Sequence, residues 1–260
     1  MLGAIIGDII GSRFEFNNWT GGKGFKLFNG TCEFTDDTIC TVAIAEAILE
    51  NPDKPDYKWF LLDWCKRFPN PMGGYGGSFA AWIHSADPQP YYSFGNGAAM
   101  RVSPVAWAYD EKMEMLGNAQ NTASVSHDHP EGIKGAQAVA YAIWYVRTLG
   151  FHKDELFKNL GKFYPGWQRK QYPQGIFDET CQGTVPVAFQ IIKASYSFED
   201  AIRNAICWGG DSDTLGAIVG SIAEAIWGIP WDLAEKALEY LPADMVEVVR
   251  RFRYKYQYRF

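Results

Sequence analysis

The chain has 260 residues, 47% of them apolar, and carries a formal charge of −6 with an isoelectric point near 5.3. That length can hold one large core, so a single unit spanning 1–260 is expected, and the acidic balance gives no overall electrostatic footprint for nucleic acid. No uncharged apolar run reaches the roughly 18 residues of a membrane span, the first residues lack the basic stretch of a signal peptide, and five cysteines without C-x-x-C spacing suit a reducing compartment. The expectation is a soluble, cytoplasmic protein with no membrane partner.

Helical patterning begins at once. Residues 2–11 set Gly3, Gly7 and Gly11 four apart, a smooth stripe along which another helix can approach closely. Their helix propensity is poor, so packing must hold this segment. A second helix should open at Thr35-Asp36-Asp37-Thr38, run through Val42, Ala45 and Ile48, and stop before Pro52 and Pro55. Residues 56–68 look amphipathic, and residues 69–78, with four glycines and two prolines, read as loop. Further helices are expected at 79–85, 97–109, 111–125, 131–149, 153–163, 179–195, 198–207, 213–227, 231–239 and 242–253. The basic cluster Arg250, Arg251, Arg253 and Lys255 should snorkel around the last of these. Alternating strand patterns are scarce, so the fold class is all-α, with long glycine-rich loops at 17–30 and 69–78.

Two short acidic clusters each open an apolar helix: Thr35-Asp36-Asp37, and Asp211-Ser212-Asp213-Thr214 after Gly209-Gly210. Capping alone accounts for part of this, because Ser, Thr and Asp are preferred N-caps and carboxylates complement the helix dipole. Each cluster nevertheless holds more carboxylate than a cap needs. The mixture of carboxylate and hydroxyl suits a hard cation such as Mg²⁺, Mn²⁺ or Ca²⁺. Zinc is disfavoured, since neither cluster contains His or Cys. Brought together, four carboxylates would repel strongly unless protonated or neutralised.

The order of motifs along the chain resembles one known family. The blocks are Gly7-Asp8-Ile9-Ile10-Gly11-Ser12-Arg13-Phe14-Glu15, Phe34-Thr35-Asp36-Asp37-Thr38, Gly74-Tyr75-Gly76-Gly77-Ser78, Ser93-Phe94-Gly95-Asn96-Gly97-Ala98-Ala99-Met100-Arg101, Ser126-His127-Asp128-His129-Pro130 and Gly209-Gly210-Asp211-Ser212-Asp213-Thr214. In that order they are similar to the ADP-ribosylglycohydrolases. The resemblance implies a compact multi-helix fold with a binuclear Mg²⁺ or Mn²⁺ site at helix N-termini. Thr35, Asp36, Asp37, Asp211, Asp213 and Thr214 would be its ligands. Asp8 would act through water or orient its neighbours. The implied reaction is hydrolysis of the glycosidic bond of an ADP-ribose unit on a protein side chain or other acceptor, releasing ADP-ribose. Catalytically silent ADP-ribose binding and phosphoester hydrolysis are the competing readings.

The other blocks supply the surroundings. Glu15, just before a flexible glycine-containing segment, is a candidate general acid or base or a gate, and a cluster carboxylate such as Asp36 or Asp213 could share the proton transfer. Residues Gly74, Tyr75, Gly76, Gly77 and Ser78 precede a helix and can offer backbone N–H groups to an anion, which the resemblance makes the diphosphate. Ser93, Phe94, Gly95, Asn96 and Gly97 form a tight turn, with Phe94 available to stack on adenine and Asn96 to bond its own turn or a ribose hydroxyl. Arg101, in a small apolar helix, should pair with a carboxylate such as Asp8. By the resemblance His127 binds ligand, while His129 is structural; His84 and His152 have no supporting context. Loops 17–30 and 85–95 should decide the acceptor. The partner is an ADP-ribosylated protein or small ADP-ribosyl substrate, and the protein a monomer or small homo-oligomer.

Overall fold

The first helix, α1 (Leu2–Gly11), is buried along its entire length against the late helix spanning Ser212–Trp227. The two run antiparallel with backbones in contact. A Cβ built on Gly7 would stand 1.9 Å from the Gly216 carbonyl oxygen, one on Gly3 2.2 Å from that of Gly220, and one on Gly11 2.4 Å from that of Ser212. The glycine stripe thus finds a partner with glycines of its own, Gly216 and Gly220, and dispersion between close backbones replaces the missing side-chain packing. Glu224 accepts a bond from Gly3 N at 3.0 Å and fixes the register at the other end.

The computed structural model describes residues 1–257. After α1 come α2 (Asp36–Glu50), α3 (Tyr57–Arg67), α4 (Gly77–His84), α5 (Gly97–Met100), α6 (Ser103–Ala108), α7 (Lys112–Ser124), α8 (Pro130–Leu149), α9 (Lys153–Leu160), α10 (Cys181–Ala194), α11 (Phe198–Trp208), α12 (Ser212–Trp227), α13 (Trp231–Leu238) and α14 (Ala243–Phe252). Two isolated bridges, Thr35 with Met72 and Gly95 with Thr180, are the β-pairing among the described residues. The all-α expectation holds. No described helix is long and apolar enough to cross a membrane. Positions 258–260 of the expected 1–260 unit lie outside the described residues.

One helix expected from the pattern is two. The 97–109 segment breaks at Arg101–Val102, because Pro104 has no N–H to give the Met100 carbonyl and instead occupies the first turn of α6. Pro186, by contrast, stays inside α10, held by burial on that face. The 153–163 helix ends early, at Leu160, and residues 253–257 continue α14 as a π turn. One cluster of buried apolar side chains, running from Met1 to Tyr256, carries α1, α2, α8 and α12 at its centre.

Candidate active site

Asp8, on α1 and fully buried, joins the two acidic clusters. Its carboxylate accepts Thr35 N at 3.0 Å, Thr35 Oγ1 at 2.8 Å, Thr38 N at 3.1 Å and the Thr38 hydroxyl. These donors are the N-cap and first turn of α2, so α1 draws the start of α2 onto itself. Because α1 runs antiparallel to α12, the same end of α1 lies against the start of α12. Thr35 Oγ1 accepts Asp37 N at 3.2 Å as a conventional N-cap. Thr214 Oγ1 donates to Asp37 Oδ2 at 3.1 Å and stitches the two helix starts together. Asn96 Nδ2 donates to Asp211 Oδ2 at 2.6 Å and to Thr184 Oγ1 at 3.1 Å. The clusters, some 175 positions apart in sequence, are one cluster in space.

They floor a cleft of about 300 Å³. Asp36, Asp211, Asp213 and Thr214 line its base, and Glu15 stands on its wall. Three carboxylate oxygens here are buried without any hydrogen-bond donor: Asp37 Oδ1, Asp213 Oδ1 and Glu15 Oε2. An unpaired buried carboxylate oxygen is costly, so this arrangement calls for protons or cations. Burial, followed by repulsion from neighbouring acidic groups, pushes Asp36, Asp37 and Asp213 well above the ordinary carboxylate range. Burial also raises Asp211, although Asn96, Asp213 and Thr214 pull it back. Asp8 is raised to about 6 by burial against four stabilising hydrogen bonds. Glu15 is raised to about 7, by burial first and then by Asp211 and Asp8. Acceptor oxygens without donors, flanked by the hydroxyls of Thr35 and Thr214, are the chemistry of a hard cation. Among the described residues no three His, Cys, Asp or Glu side chains already form a closed ligand group. The donor set fits a cation by its chemistry.

The Thr35–Met72 bridge holds the 72–77 segment beside this floor. Gly73 has φ +77°, and a Cβ there would meet Glu15 Oε2 at 2.4 Å, so the glycine is required both for the turn and for room beside Glu15. Gly74, Tyr75, Gly76, Gly77 and Ser78 all line the cleft, and the first N–H groups of α4 have no acceptor within the helix. The Tyr75 hydroxyl is committed to the Phe68 carbonyl at 2.7 Å, which leaves its ring as the wall.

The opposite wall comes from the Ser126-His127-Asp128-His129 segment. Arg101 Nη2 donates to Thr122 O and to Ser126 Oγ, each at 2.8 Å. A guanidinium only donates, so Ser126 keeps its proton free for His127 Nδ1, also at 2.8 Å. Burial and then the Arg101 charge hold the imidazole pKa well below its usual value, so it is neutral and carries its proton on Nε2. That nitrogen points to Gly95 and Gly97, where a Cβ would lie 3.3 and 3.1 Å from it. Asp128 Oδ1 accepts Tyr92 N at 2.6 Å and supports a tyrosine at φ +55°, while His129 caps α8 by accepting Glu131 N at 3.0 Å. His129 is structural, as expected.

Two expectations change. Arg101 makes no bond to Asp8: the Asp8 oxygens are filled by Thr35 and Thr38, and the guanidinium turns toward Thr122 and Ser126. Ser93, Gly95, Asn96 and Gly97 line the cleft, whereas Phe94 does not; its ring packs edge-on against His129 at 5.3 Å. Besides Tyr75, the aromatic residues facing the cleft are Phe79 and Tyr91 beside His127, and Phe16 and Phe177 on the Glu15 side. Phe16 (74% exposed) and Phe177 (41% exposed) stack at 5.5 Å across the mouth, and Glu179 follows on the same rim. Asn18 ties this rim together: its Nδ2 donates to Gly175 O at 2.8 Å and its Oδ1 accepts Gly210 N at 2.7 Å, just before Asp211. Sequence reasoning missed Phe16, Asn18, Phe177 and Glu179, which lie in loops without periodicity or motif.

A model of the ADP-ribosylglycohydrolase family matches residues 1–257. The chain is similar to the ADP-ribosyl-[dinitrogen reductase] glycohydrolase of Rhodospirillum rubrum, 25% identical over 96% of this chain and 91% of that one. It is also similar to the ADP-ribosylarginine hydrolase Tri1 of Serratia proteamaculans, 23% identical over 89% of this chain and 72% of that one. A solved structure described as an ADP-ribosylglycohydrolase-related protein complex shares the fold, with a TM-score of 0.72 at 23% identity over 96% of this chain and 95% of that one.

Proposed function

The chain belongs to the ADP-ribosylglycohydrolase family, and we propose that it is a divalent-cation-dependent hydrolase that releases ADP-ribose from an ADP-ribosylated protein or small ADP-ribosyl substrate. The observation that carries this reading is the set of three donorless buried carboxylate oxygens: on Asp37 and Asp213 at the two joined helix starts, and on Glu15 in the cleft wall. Thr35, Asp36, Asp37, Asp211, Asp213 and Thr214 would hold two Mg²⁺ or Mn²⁺ ions, which neutralise the crowded carboxylates and lend Lewis acidity toward the sugar and the attacking water.

The protein's own groups do the rest. The N–H groups opening α4, with the 74–78 turn, bind the diphosphate, where the helix dipole favours negative charge. His127 offers its Nε2–H to a ribose or base oxygen, and Asn96, fixed by Thr184 and Asp211, closes that side of the pocket. Glu15, in the cleft wall with one carboxylate oxygen that has no donor, is the group placed to hold or release a proton beside the scissile bond. The anionic floor stabilises the positive charge that develops on the sugar ring as the glycosidic bond breaks.

The test is release of free ADP-ribose from ADP-ribosylated arginine, ADP-ribosylated serine and poly(ADP-ribose) with Mg²⁺ or Mn²⁺, alongside calorimetric titration of each metal. Asp36→Ala and Asp213→Ala should each abolish both cation binding and turnover. Full turnover by either variant, or release of phosphate in place of ADP-ribose, contradicts the proposal. Tight ADP-ribose binding by the wild type without turnover of any substrate would instead mark a silent binder.

A further inference from the structure

The 161–180 connection between α9 and α10 is longer than the roughly 12–15 residues beyond which a structureless loop is uncommon and usually functional. It is nevertheless firmly held. Gln190, on α10, donates from Nε2 to Trp167 O at 2.7 Å and to Lys170 O at 2.9 Å, and Arg169 N and Lys170 N both turn back onto Gly166 O. Trp167 is only 1% exposed and packs edge-on against Phe157 and Phe189. Between this loop, the outer face of α10 and Trp208 lies an open groove of about 720 Å³.

Every charged residue lining that groove is a cation: Arg169, Lys170 and Lys193. All three are exposed, and among the described residues none forms an ion pair. The remaining polar lining is glutamine, at 168, 171, 174 and 190. In a chain of net charge −6 this is a local reversal of sign, on a loop already ordered to present it. Backbone connections tie the groove to the cleft rim. Trp208 O accepts Gly175 N at 2.9 Å, and the chain passes directly from Trp208 through Gly209 and Gly210 into Asp211. On the other side Tyr172, which lines the groove, precedes by five positions Phe177, which lines the cleft mouth.

We propose that this groove docks an acidic segment of the modified protein and so delivers its ADP-ribosylated side chain to the cleft. The assignment rests on the hydrolase reading for the identity of that protein, but not for the binding itself. Charge complementarity selects an anionic chain, and the aromatic rings decide which kind. A single-stranded nucleic acid would need free ring faces on which to stack bases. Trp167 is buried, and Tyr172 and Trp208 are half-buried with their rings packed against the core, the Lys170 ammonium lying 4.8 Å from the Tyr172 ring centre. What remains are three separated cations and four amides, which suit carboxylates and a peptide backbone.

The experiment is fluorescence anisotropy at low salt, with a labelled oligoglutamate peptide and a labelled oligothymidylate as probes. It uses the full chain, the groove variant R169E/K170E/K193E, and K54E/K66E/K112E as a control carrying the same charge change on exposed residues elsewhere. Wild type and control should bind the peptide, and the groove variant should bind it roughly 10–100-fold more weakly, the combined effect of three exposed charge contacts. Circular dichroism of the groove variant checks that the fold is kept. Failure of the wild type to bind the peptide, an equal loss in the control, or tighter binding of the oligothymidylate each overturns the proposal. Binding requires no turnover, so failure of the groove and failure of the hydrolase reading are separate results.

Discussion

Ser126 shows how one hydroxyl can set the state of a neighbour. It receives the Arg101 guanidinium on its oxygen and directs its proton to His127 Nδ1, which leaves Nε2–H facing the cleft. Ser126→Ala should therefore release the tautomer, visible as mixed Nδ1 and Nε2 protonation in ¹⁵N spectra. KM should rise roughly threefold to tenfold, the worth of one hydrogen bond, with kcat little changed. An unaltered tautomer would refute the relay. The residues of this wall were partly legible in sequence: the Ser126-His127-Asp128-His129 block marked His127 for the ligand and His129 for structure, and the structure sets His127 on the cleft lining and His129 at the cap of α8. What could not be read was the partner of Arg101. A carboxylate is the usual expectation for a buried cation, but Asp8 was already claimed by Thr35 and Thr38. Phe94 failed similarly, since a turn motif fixes backbone shape and leaves the ring free to choose His129 over the cleft.

Helices α1 and α12 carry the acidic floor on contacts between glycines. Gly7→Ala gains helix propensity of about 1 kcal/mol but drives a methyl group into the Gly216 carbonyl, and overpacking of this kind costs about 1–3 kcal/mol or more. The net expectation is a fall in thermal midpoint of several degrees, accompanied by weaker cation binding as Asp8 and Asp213 separate. Gly24→Ala, where a Cβ meets nothing within 4 Å, is the control and should melt like the wild type. Equal midpoints for the two variants would refute the close-packing argument. At this scale the glycine stripe was visible from its four-residue spacing, and the cap at Thr35 from residue type. Its partner helix was not, because Gly216 and Gly220 sit within an ordinary apolar pattern. The break at Arg101–Val102 escaped because continuous apolar periodicity outweighed the single signal of Pro104.

Across the whole molecule the crowded carboxylates link stability to pH. Glu15 titrates at about 7 against an ordinary 4.5, and Asp8 at about 6 against 3.8, in both cases chiefly because burial opposes the charged form. Between those values the folded chain binds more protons than the unfolded one, so these groups lower stability as pH rises from about 4 to about 7. His127, buried and neutral, contributes with the opposite sign below its usual pKa, so the comparison must isolate one group. In chelator, Glu15→Gln should melt with the wild type at about pH 4 and above it at about pH 8, and saturating Mg²⁺ or Mn²⁺ should erase the difference. A constant offset at both pH values would refute the linkage. The acidic clusters themselves were plain in the sequence, whereas their convergence depended on Asp8 and on the antiparallel pairing of α1 with α12, which no local pattern encodes. That pairing also governs the molecule's assembly in time. Residues 2–11 leave the ribosome about 200 residues ahead of 212–227, so α1 must wait, with its glycine face unpaired, while all the intervening helices are made. The acidic floor accordingly cannot assemble before α12 is made, and a chain interrupted ahead of that helix has none.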